Sequence, residues 1–364
     1  MTQRSLRRRI LDLIEAQGPL SVADYMTLCL YDRKEGYYMS REPFGRGGDF
    51  TTAPEVSQMF GELVGAWIVS AWQAVDRPSP AMIVEIGPGR GTLMKDMERT
   101  LRRIAPQLHE AARFELIEVS PRLARIQAET LATSSGPFDW HDDIDALPSL
   151  PLFIVGNELF DAVPIRQYVR TESGWRERCV GADGNGNLAF LAGAGSLDAS
   201  LLPAAAAEAA PGTIVEVAPS RSALMQKIAE RIAGDGGAGL FFDYGYLEPA
   251  TGDSFQALRR HAFTDPLAEP GKADLTAHVD FAALADAVRA AGLVAGLATQ
   301  GGFLLRMGLL ERAGRLGADA DEAGRERISG EVERLAGPDQ MGSLFKVMAV
   351  ARQELSLPPF SSPD

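Results

Sequence analysis

The alternation of apolar and polar positions divides the chain into a helical first part and a later part in which strands and helices alternate. Residues 1–80 are predicted to be mostly helical, and they open with an amphipathic pattern at Ile10, Leu13 and Ile14. From position 81 onward, short apolar runs that end at turn residues are separated by amphipathic segments. Such runs are typical of buried parallel strands, so the predicted fold class is α/β with a doubly wound sheet.

The first part of this predicted sheet occupies residues 81–163. Ser120 followed by Pro121 is typical of a helix start, because serine caps free amide groups and proline suits the first helical position. The expected strands cover residues 81–86, 113–119, 137–140 and 151–155, and the expected helices cover residues 92–104 and about 121–131.

The pattern then changes, and residues 164–212 are predicted to form an inserted subdomain. Hairpin-like segments flank a glycine-rich turn at 181–186, and an alanine-rich stretch follows. The core is expected to resume over 213–355 and to end in a disordered tail at 356–364, which is rich in proline and serine. Within the resumed core we expect strands at 213–217, 239–243, 293–299 and 343–352, and a helix capped by Ser220.

Composition and charge exclude several classes of protein. The chain has 364 residues, 46% of them hydrophobic, and no apolar run approaches the length of a membrane span. Its two cysteines, Cys29 and Cys179, and four scattered histidines predict neither a disulfide framework nor a metal site. The net charge of -13 argues against a nucleic-acid partner, which requires a cationic face. The oligomeric state is not determined by these features.

The strongest local signal is a glycine turn between the first predicted strand and its helix. Gly87, Pro88, Gly89 and Gly91 stand in a G-x-G-x-G spacing preceded by Glu85. A dinucleotide site normally has G-x-G-x-x-G spacing, with a pyrophosphate at the helix terminus. An acidic residue suits instead a cofactor with a sulfonium and an ammonium, so we predict S-adenosyl-L-methionine. A purely structural turn and a site for NAD or FAD are the alternatives.

Carboxylates follow three successive predicted strands. Glu85 ends the first, Glu118 ends the second, and Asp142 and Asp143 follow the third. The carboxyl ends of parallel strands meet at one edge of a sheet, where α/β proteins bind ligands. Glu118 is therefore predicted to accept the ribose hydroxyls of an adenosine, and Asp142 or Asp143 its adenine amino group.

Several stretches together resemble the MidA-like class I methyltransferases, over about residues 5–355. They are E-G-Y-Y at 35–38, G-D-F-T-T-A-P-E at 48–55, the glycine turn, G-N-E-L-F-D-A-V-P at 156–164, D-Y-G at 243–245 and D-L-T-A-H-V-D-F at 274–281.

The resemblance implies a Rossmann-like sheet with a reversed last strand, additional substrate-side elements, and S-adenosyl-L-methionine as methyl donor. Mitochondrial members of this family are complex I assembly factors that methylate a protein arginine. The resemblance therefore implies symmetric dimethylation of an arginine in a subunit of the respiratory NADH dehydrogenase. It also implies a place in the mitochondrial matrix for a eukaryotic member and in the cytoplasm for a bacterial one.

The loop after the fourth predicted strand carries candidate catalytic residues. Glu158 and Asp161 are expected to orient a guanidinium, and Asn157 to contact cofactor or substrate. Carboxylates can hold a guanidinium in a fork and leave the lone pair of one nitrogen available. The alternative is a loop cap and turn that ends at Pro164.

The segment before the sheet, 48–55, is interpreted as a lid over the methionine end of the cofactor. Thr51 or Thr52 would bond the carboxylate of the cofactor, and Glu55 would take part. The alternative is an ordinary loop before a helix that begins at Pro54, in which Glu55 merely occupies the first turn.

A third candidate group is Thr276, His278 and Asp280, which share one face if the segment is extended. His278 would act as a general base or bind substrate, and a structural role is the alternative. Tyr244, after the strand at 239–243, is expected in the substrate cleft. Beyond arginine methylation, a small-molecule methyltransferase, an assembly module without catalysis and a nicotinamide oxidoreductase are the competing functions.

Overall fold

The computed structural model describes residues 4–40, 51–353, 355 and 357–360. Chain contacts divide it into two compact units. Unit 1 comprises Met1–Phe50, Phe160–Ala223 and Glu248–Ala282, and unit 2 comprises Thr51–Leu159, Leu224–Leu247 and Ala283–Asp364.

Helices occur along both units. In chain order they are α1 (Leu6–Gln17), α2 (Val22–Tyr31), α3 (Tyr37–Ser40), α4 (Ala53–Val56), α5 (Gln58–Ala74), α6 (Thr92–Ile104), α7 (Pro106–Ala111), α8 (Pro121–Leu131), α9 (Pro219–Asp235), α10 (Phe281–Ala290), α11 (Gln300–Arg306), α12 (Leu309–Gly317), α13 (Glu322–Ala336) and α14 (Met341–Leu344). Across the described ranges, no helix combines the length and the apolar character that crossing a bilayer requires.

The strands complete the secondary structure. In chain order they are β1 (Leu20–Ser21), β2 (Ala81–Ile86), β3 (Ala112–Ile117), β4 (Phe138–His141), β5 (Leu152–Asn157), β6 (Arg166–Thr171), β7 (Gly174–Ala182), β8 (Leu188–Ala192), β9 (Ile214–Val217), β10 (Gly237–Tyr246), β11 (Gln256–Arg259), β12 (Ala262–Thr264), β13 (Asp274–Thr276), β14 (Val279–Asp280), β15 (Val294–Thr299) and β16 (Phe345–Ala351).

Unit 2 contains a large mixed sheet with the strand order β15-β16-β10-β5-β2-β3-β4. The strands from β10 to β4 pair in parallel, whereas β16 pairs antiparallel with both β10 and β15. The predicted parallel α/β sheet is therefore confirmed, and so is the reversed last strand that the resemblance implied. In a parallel sheet of this order, the ends of β2, β3, β4 and β5 share one edge.

The core of unit 2 explains why the central strands β2, β5 and β10 are largely apolar. Every residue of β2 is buried, and Phe60 of α5 packs edge-on against Phe242 of β10 at a centroid distance of 4.9 Å. Leu357 and Phe360 belong to the same core, with Phe360 lying 5.8 Å from the ring of Phe303. The prediction of a disordered tail is therefore wrong for 357–360. The proline- and serine-rich composition of the tail does not show that Leu357 and Phe360 pack against the core.

Unit 1 contains antiparallel sheets. One has the path β1-β7-β6-β9 with β8 beside β7, and another has the order β12-β11-β13. The predicted hairpins at 164–212 are confirmed as β6, β7 and β8. The strand predicted at 213–217 does not resume the parallel sheet, since β9 pairs antiparallel with β6. Ser220 is not a helix cap, because α9 already begins at Pro219.

The predicted N-terminal region 1–80 is divided between the two units. Leu20 and Ser21 pair with Val180 and Cys179 of β7, which joins the first helices to the hairpins of unit 1. The helix α5, in contrast, contributes to the core of unit 2. This division depends on the pairing of β1 with β7, which lie about 160 residues apart in the chain. Local periodicity predicts strands and helices but not which strands pair.

Candidate active site

The glycine turn of unit 2 adopts a backbone that favours glycine at three positions. Gly87, Gly89 and Gly91 have φ angles of 67°, 53° and 81°, all in the left-handed region. A Cβ atom added at Gly87 would lie 3.3 Å from Cδ1 of Leu159. Gly91 precedes α6 and provides no side-chain cap, so the first amides of this helix can serve a ligand.

Glu85, at the end of β2, is a buried carboxylate. Its exposed fraction is 3%, and its Oε2 atom has no hydrogen-bond partner. Burial raises the pKa of Glu85 well above the ordinary value, and a hydrogen bond from the backbone of Met94 opposes this only in part. A buried carboxylate oxygen without a donor fits a ligand that brings a positive charge or an N–H group.

Glu118, directly after β3, is held from two sides. Its Oε1 atom accepts the Ser120 amide at 2.7 Å, and its Oε2 atom accepts Nε2 of Gln127 at 2.9 Å. The same Gln127 nitrogen donates to the Gly89 carbonyl at 2.9 Å, and Gln127 Oε1 accepts the indole N–H of Trp140 at 2.9 Å. Gln127 therefore orients Glu118 and ties it to the glycine turn.

Sequence reasoning missed Gln127. It is fully buried on α8, in line with Leu123 and Leu131 at four-residue intervals. A polar residue inside an apolar helical stripe was the available signal, since a buried amide needs partners.

The two aspartates after β4 differ in what they contact. Asp143 accepts the Asp145 amide at 2.8 Å and the Lys227 ammonium at 2.7 Å, and these bonds lower its pKa. Asp142 is exposed. The Asp143 carboxylate thus already caps a short 3-10 turn and forms an ion pair.

Only part of the predicted lid can be described, because its residues 48–50 lie outside the described residues. Thr52 is buried, and its carbonyl accepts the Glu55 amide at 2.9 Å at the start of α4. Thr51 precedes it and is half-buried. Pro54 lies in the first turn of α4, so a helix does begin here, as the alternative interpretation expected.

Glu55 nevertheless does more than occupy a helix start. Its Oε1 atom accepts the hydroxyl of Thr92 at 2.5 Å. Thr92 is the first residue of α6, directly after the glycine turn. The segment Thr51 to Glu55 is thus anchored beside the turn.

The loop after β5 begins with a strained residue. Glu158 has a φ angle of 51°, and its amide donates to the Phe242 carbonyl at 2.8 Å. Nδ2 of Asn157 donates to Glu158 Oε1 at 3.2 Å, while Oδ1 of Asn157 is buried without a partner. Left-handed backbone at a residue other than glycine is costly and occurs preferentially at functional sites.

Asp161 belongs to unit 1, since the boundary between the units falls after Leu159. It is 5% exposed, and its Oδ1 atom accepts the Ala162 amide at 2.8 Å. Tyr38 lies close to Asp161 and donates its hydroxyl to buried Asp274 at 2.9 Å. Burial raises the pKa of Tyr38, and both carboxylates reinforce that shift. Sequence reasoning assigned no role to Tyr38 or Asp274, although both lie in the stretches that carry the resemblance.

The segment that carries Thr276, His278 and Asp280 is not one continuous strand, and their sharing one extended face stays a prediction. Thr276 ends β13 and Asp280 ends β14, with an interruption at 277–278. His278 donates its amide to Ser254 Oγ at 2.9 Å, and its carbonyl accepts from Arg221 at 2.7 Å. At His278 the backbone polar groups thus bond to side chains instead of to a neighbouring strand.

Tyr244, in unit 2, packs against the hydrophobic core. Its ring contacts Phe345 edge-on at a centroid distance of 5.4 Å. Its place in a substrate cleft stays a prediction.

Several known proteins that resemble this chain are methyltransferases. A family profile described as S-adenosyl-L-methionine-dependent methyltransferase matches residues 63–299. The mitochondrial protein arginine methyltransferase NDUFAF7 of Danio rerio is 36% identical over 369 residues, covering 95% of this chain and 87% of the relative. Its namesake in Homo sapiens is 34% identical over 369 residues, covering 94% and 82%.

A solved structure is similar along almost the whole chain. It is a Burkholderia thailandensis protein in complex with S-adenosyl-homocysteine, with a TM-score of 0.84 and 28% identity. The match covers 96% of this chain and 92% of that protein. The resemblance inferred from the sequence motifs is thereby confirmed, and this chain belongs to the family of S-adenosyl-L-methionine-dependent methyltransferases.

Proposed function

We propose that this protein methylates a guanidinium nitrogen of arginine in a protein substrate. The specific reaction proposed is symmetric dimethylation of a subunit of respiratory complex I, the NADH dehydrogenase. The observation that carries the proposal is the Asn157–Glu158 pair, a carboxylate held in a left-handed backbone directly after β5. The name of the relatives, protein arginine methyltransferase, supports the same substrate class.

The residues at the edge of the unit 2 sheet fit S-adenosyl-L-methionine. The buried Oε2 of Glu85 and Oδ1 of Asn157, both without partners, suit the amino group and other donors of the cofactor. Glu118 offers further lone pairs to the ribose hydroxyls, and Asp142 accepts from the adenine. The remaining proposed contacts are Gly87, Pro88, Gly89, Gly91, Thr51, Thr52 and Glu55.

When bound, the cofactor supplies a methyl group activated by a cationic sulfur. The difficulty lies with the nucleophile, because a guanidinium is cationic, delocalised and has a pKa above about 12. Glu158 and Asp161 are proposed to accept its N–H groups and thereby hold the positive charge on two of its nitrogens. The third nitrogen is then left with a usable lone pair. Much of the rate enhancement comes from holding this nitrogen in line with the methyl group of the cofactor. His278 is proposed to bind the substrate or to accept the proton that is released.

A labelling experiment tests the proposal. The full chain is incubated with methyl-labelled S-adenosyl-L-methionine and either arginine-containing peptides or purified complex I subunits, and the products are analysed by mass spectrometry. We expect monomethylarginine first and symmetric dimethylarginine later. Label in a small molecule, or cofactor binding without any label on arginine, would contradict the proposal and favour a small-molecule methyltransferase or a non-catalytic assembly factor.

Glu85→Gln provides a prediction from the raised pKa. Below the pKa of the unfolded carboxyl, about 4.3, Glu85 is protonated in both states, so its burial carries no penalty for a charge. As the pH rises toward the raised pKa of the folded state, the unfolded chain releases the proton first, and folding stability declines. We therefore expect the melting temperature of cofactor-free wild type to fall relative to Glu85→Gln between pH 5 and 8.

The same variant should bind S-adenosylhomocysteine more weakly than wild type, since a neutral amide attracts the ammonium group less. Melting curves with and without the ligand measure both effects. Parallel pH profiles for the two proteins would show that Glu85 does not titrate as described.

A further inference from the structure

Arg221 is a buried arginine in unit 1 whose guanidinium bonds to two separate loops. It is 2% exposed and lies in the first turn of α9. Its Nε donates to the Val163 carbonyl at 3.0 Å, and Nη1 donates to the His278 carbonyl at 2.7 Å. Nη2 donates to the carbonyls of Asp161 at 2.9 Å and Ala277 at 3.2 Å. One side chain thus forms hydrogen bonds to both the loop at 161–163 and the loop at 277–278.

Only arginine can make this set of contacts. A guanidinium is rigid and planar and carries five N–H donors, whereas a lysine ammonium is a compact group with three. Burying the charge is expensive, and Glu216 offsets part of the cost through its attraction for Arg221. A buried arginine of this kind is expected where the protein must keep the acceptor carbonyls in a fixed arrangement.

Two further hydrogen bonds hold the backbone of the same residues, His278 and Asp161. The His278 amide donates to Ser254 Oγ at 2.9 Å, and the Ser254 hydroxyl in turn donates to Glu216. The Ala277 amide donates to the Asp161 carbonyl at 3.2 Å. His278 is therefore held at its N–H and at its carbonyl, and Asp161 is held at its carbonyl by two donors.

We infer that Arg221 is a positioning residue that sets the backbones of Asp161 and His278 relative to each other for the methylation reaction. This inference rests on the proposed function, in which these two residues serve the substrate. Arg221 acts through the loops, and the proposed cofactor contacts all lie in unit 2. Its loss should therefore affect turnover of the substrate and leave cofactor affinity intact.

The test uses the full chain with Arg221→Lys and Arg221→Ala. For Arg221→Lys we expect kcat/KM for an arginine peptide to fall by about 10²-fold, because misplacement of about 1 Å has effects of this size. The Kd for S-adenosylhomocysteine should stay within about twofold. Arg221→Ala removes every donor of the guanidinium, so it should lower kcat/KM at least as far. Hydrogen exchange should accelerate at the Ala277 amide.

Arg231→Lys is a matched control on the same helix. Arg231 also donates to backbone carbonyls, at 2.7 Å to Pro148 and 3.2 Å to Ile144. This variant should lower the melting temperature and keep wild-type kcat at saturating cofactor.

Wild-type kcat/KM in Arg221→Lys would overturn the inference, as would an equal loss of cofactor affinity and kcat/KM. If wild type methylates no arginine, the proposed function fails instead. The exchange rate of the Ala277 amide then decides by itself whether Arg221 ties the loops.

Discussion

Replacement of Glu158 by glutamine is expected to lower kcat by about 10²- to 10³-fold while cofactor affinity stays unchanged, an effect typical of removing one preorganised electrostatic contact. Glutamine has the same shape and can still accept the bond from Asn157 through its amide oxygen. It lacks the charge that is proposed to hold the guanidinium. Steady-state kinetics with an arginine peptide, together with calorimetric titration of S-adenosylhomocysteine, separates the two quantities.

The matched control for this prediction is Glu172→Gln, which removes an exposed carboxylate from the turn between β6 and β7. It should behave as wild type in both assays. Turnover of Glu158→Gln within a few-fold of wild type would remove Glu158 from the mechanism and leave its left-handed backbone without a catalytic explanation.

Replacement of Glu118 by alanine is expected to weaken S-adenosylhomocysteine binding by about 10²-fold or more. Two ribose hydroxyls would lose a charged acceptor, and hydrogen bonds to charged groups contribute about 1.5–3 kcal/mol each. The change also removes one of the two acceptors of Gln127 Nε2, so that only the Gly89 carbonyl remains. Calorimetry at matched ionic strength measures the affinity directly.

Gln127→Leu refines this prediction. The Glu118 charge remains, but it loses the donor that orients it, so an affinity between those of wild type and Glu118→Ala is expected. The exposed Glu129, on the same helix, supplies the control variant Glu129→Ala, which should bind as wild type does. Unchanged affinity in Glu118→Ala would show that the ribose is held elsewhere.

Much of the candidate site follows from local patterns and from chain order. The apolar run of β2, the glycines after it and the acids that end successive strands are all visible in a linear sequence. A parallel sheet brings the ends of consecutive strands to one edge, so Glu85, Glu118 and the aspartates after β4 could be placed near one another without coordinates. Glu158 was likewise placed by its position directly after β5.

The predictions that went wrong involve contacts between distant parts of the chain. The strand at 213–217 has an ordinary apolar pattern, but its partner is β6, so it joins an antiparallel sheet. The tail at 357–360 has a disordered composition but contains two residues that reach the core. The strand expected at 276–280 is interrupted at 277–278, where Arg221 and Ser254 bond to the backbone of His278.

The sequence by itself determined the fold class, the cofactor and the acidic residues at the sheet edge, because helix and strand periodicity and the glycine turn are patterns of neighbouring residues. The tertiary structure alone decided that Asp143 is taken by Lys227, that Gln127 orients Glu118, and that Arg221 joins two loops. These facts depend on which donor meets which acceptor once the chain is folded. A buried polar group must find such a partner, but only the folded chain shows which one it is.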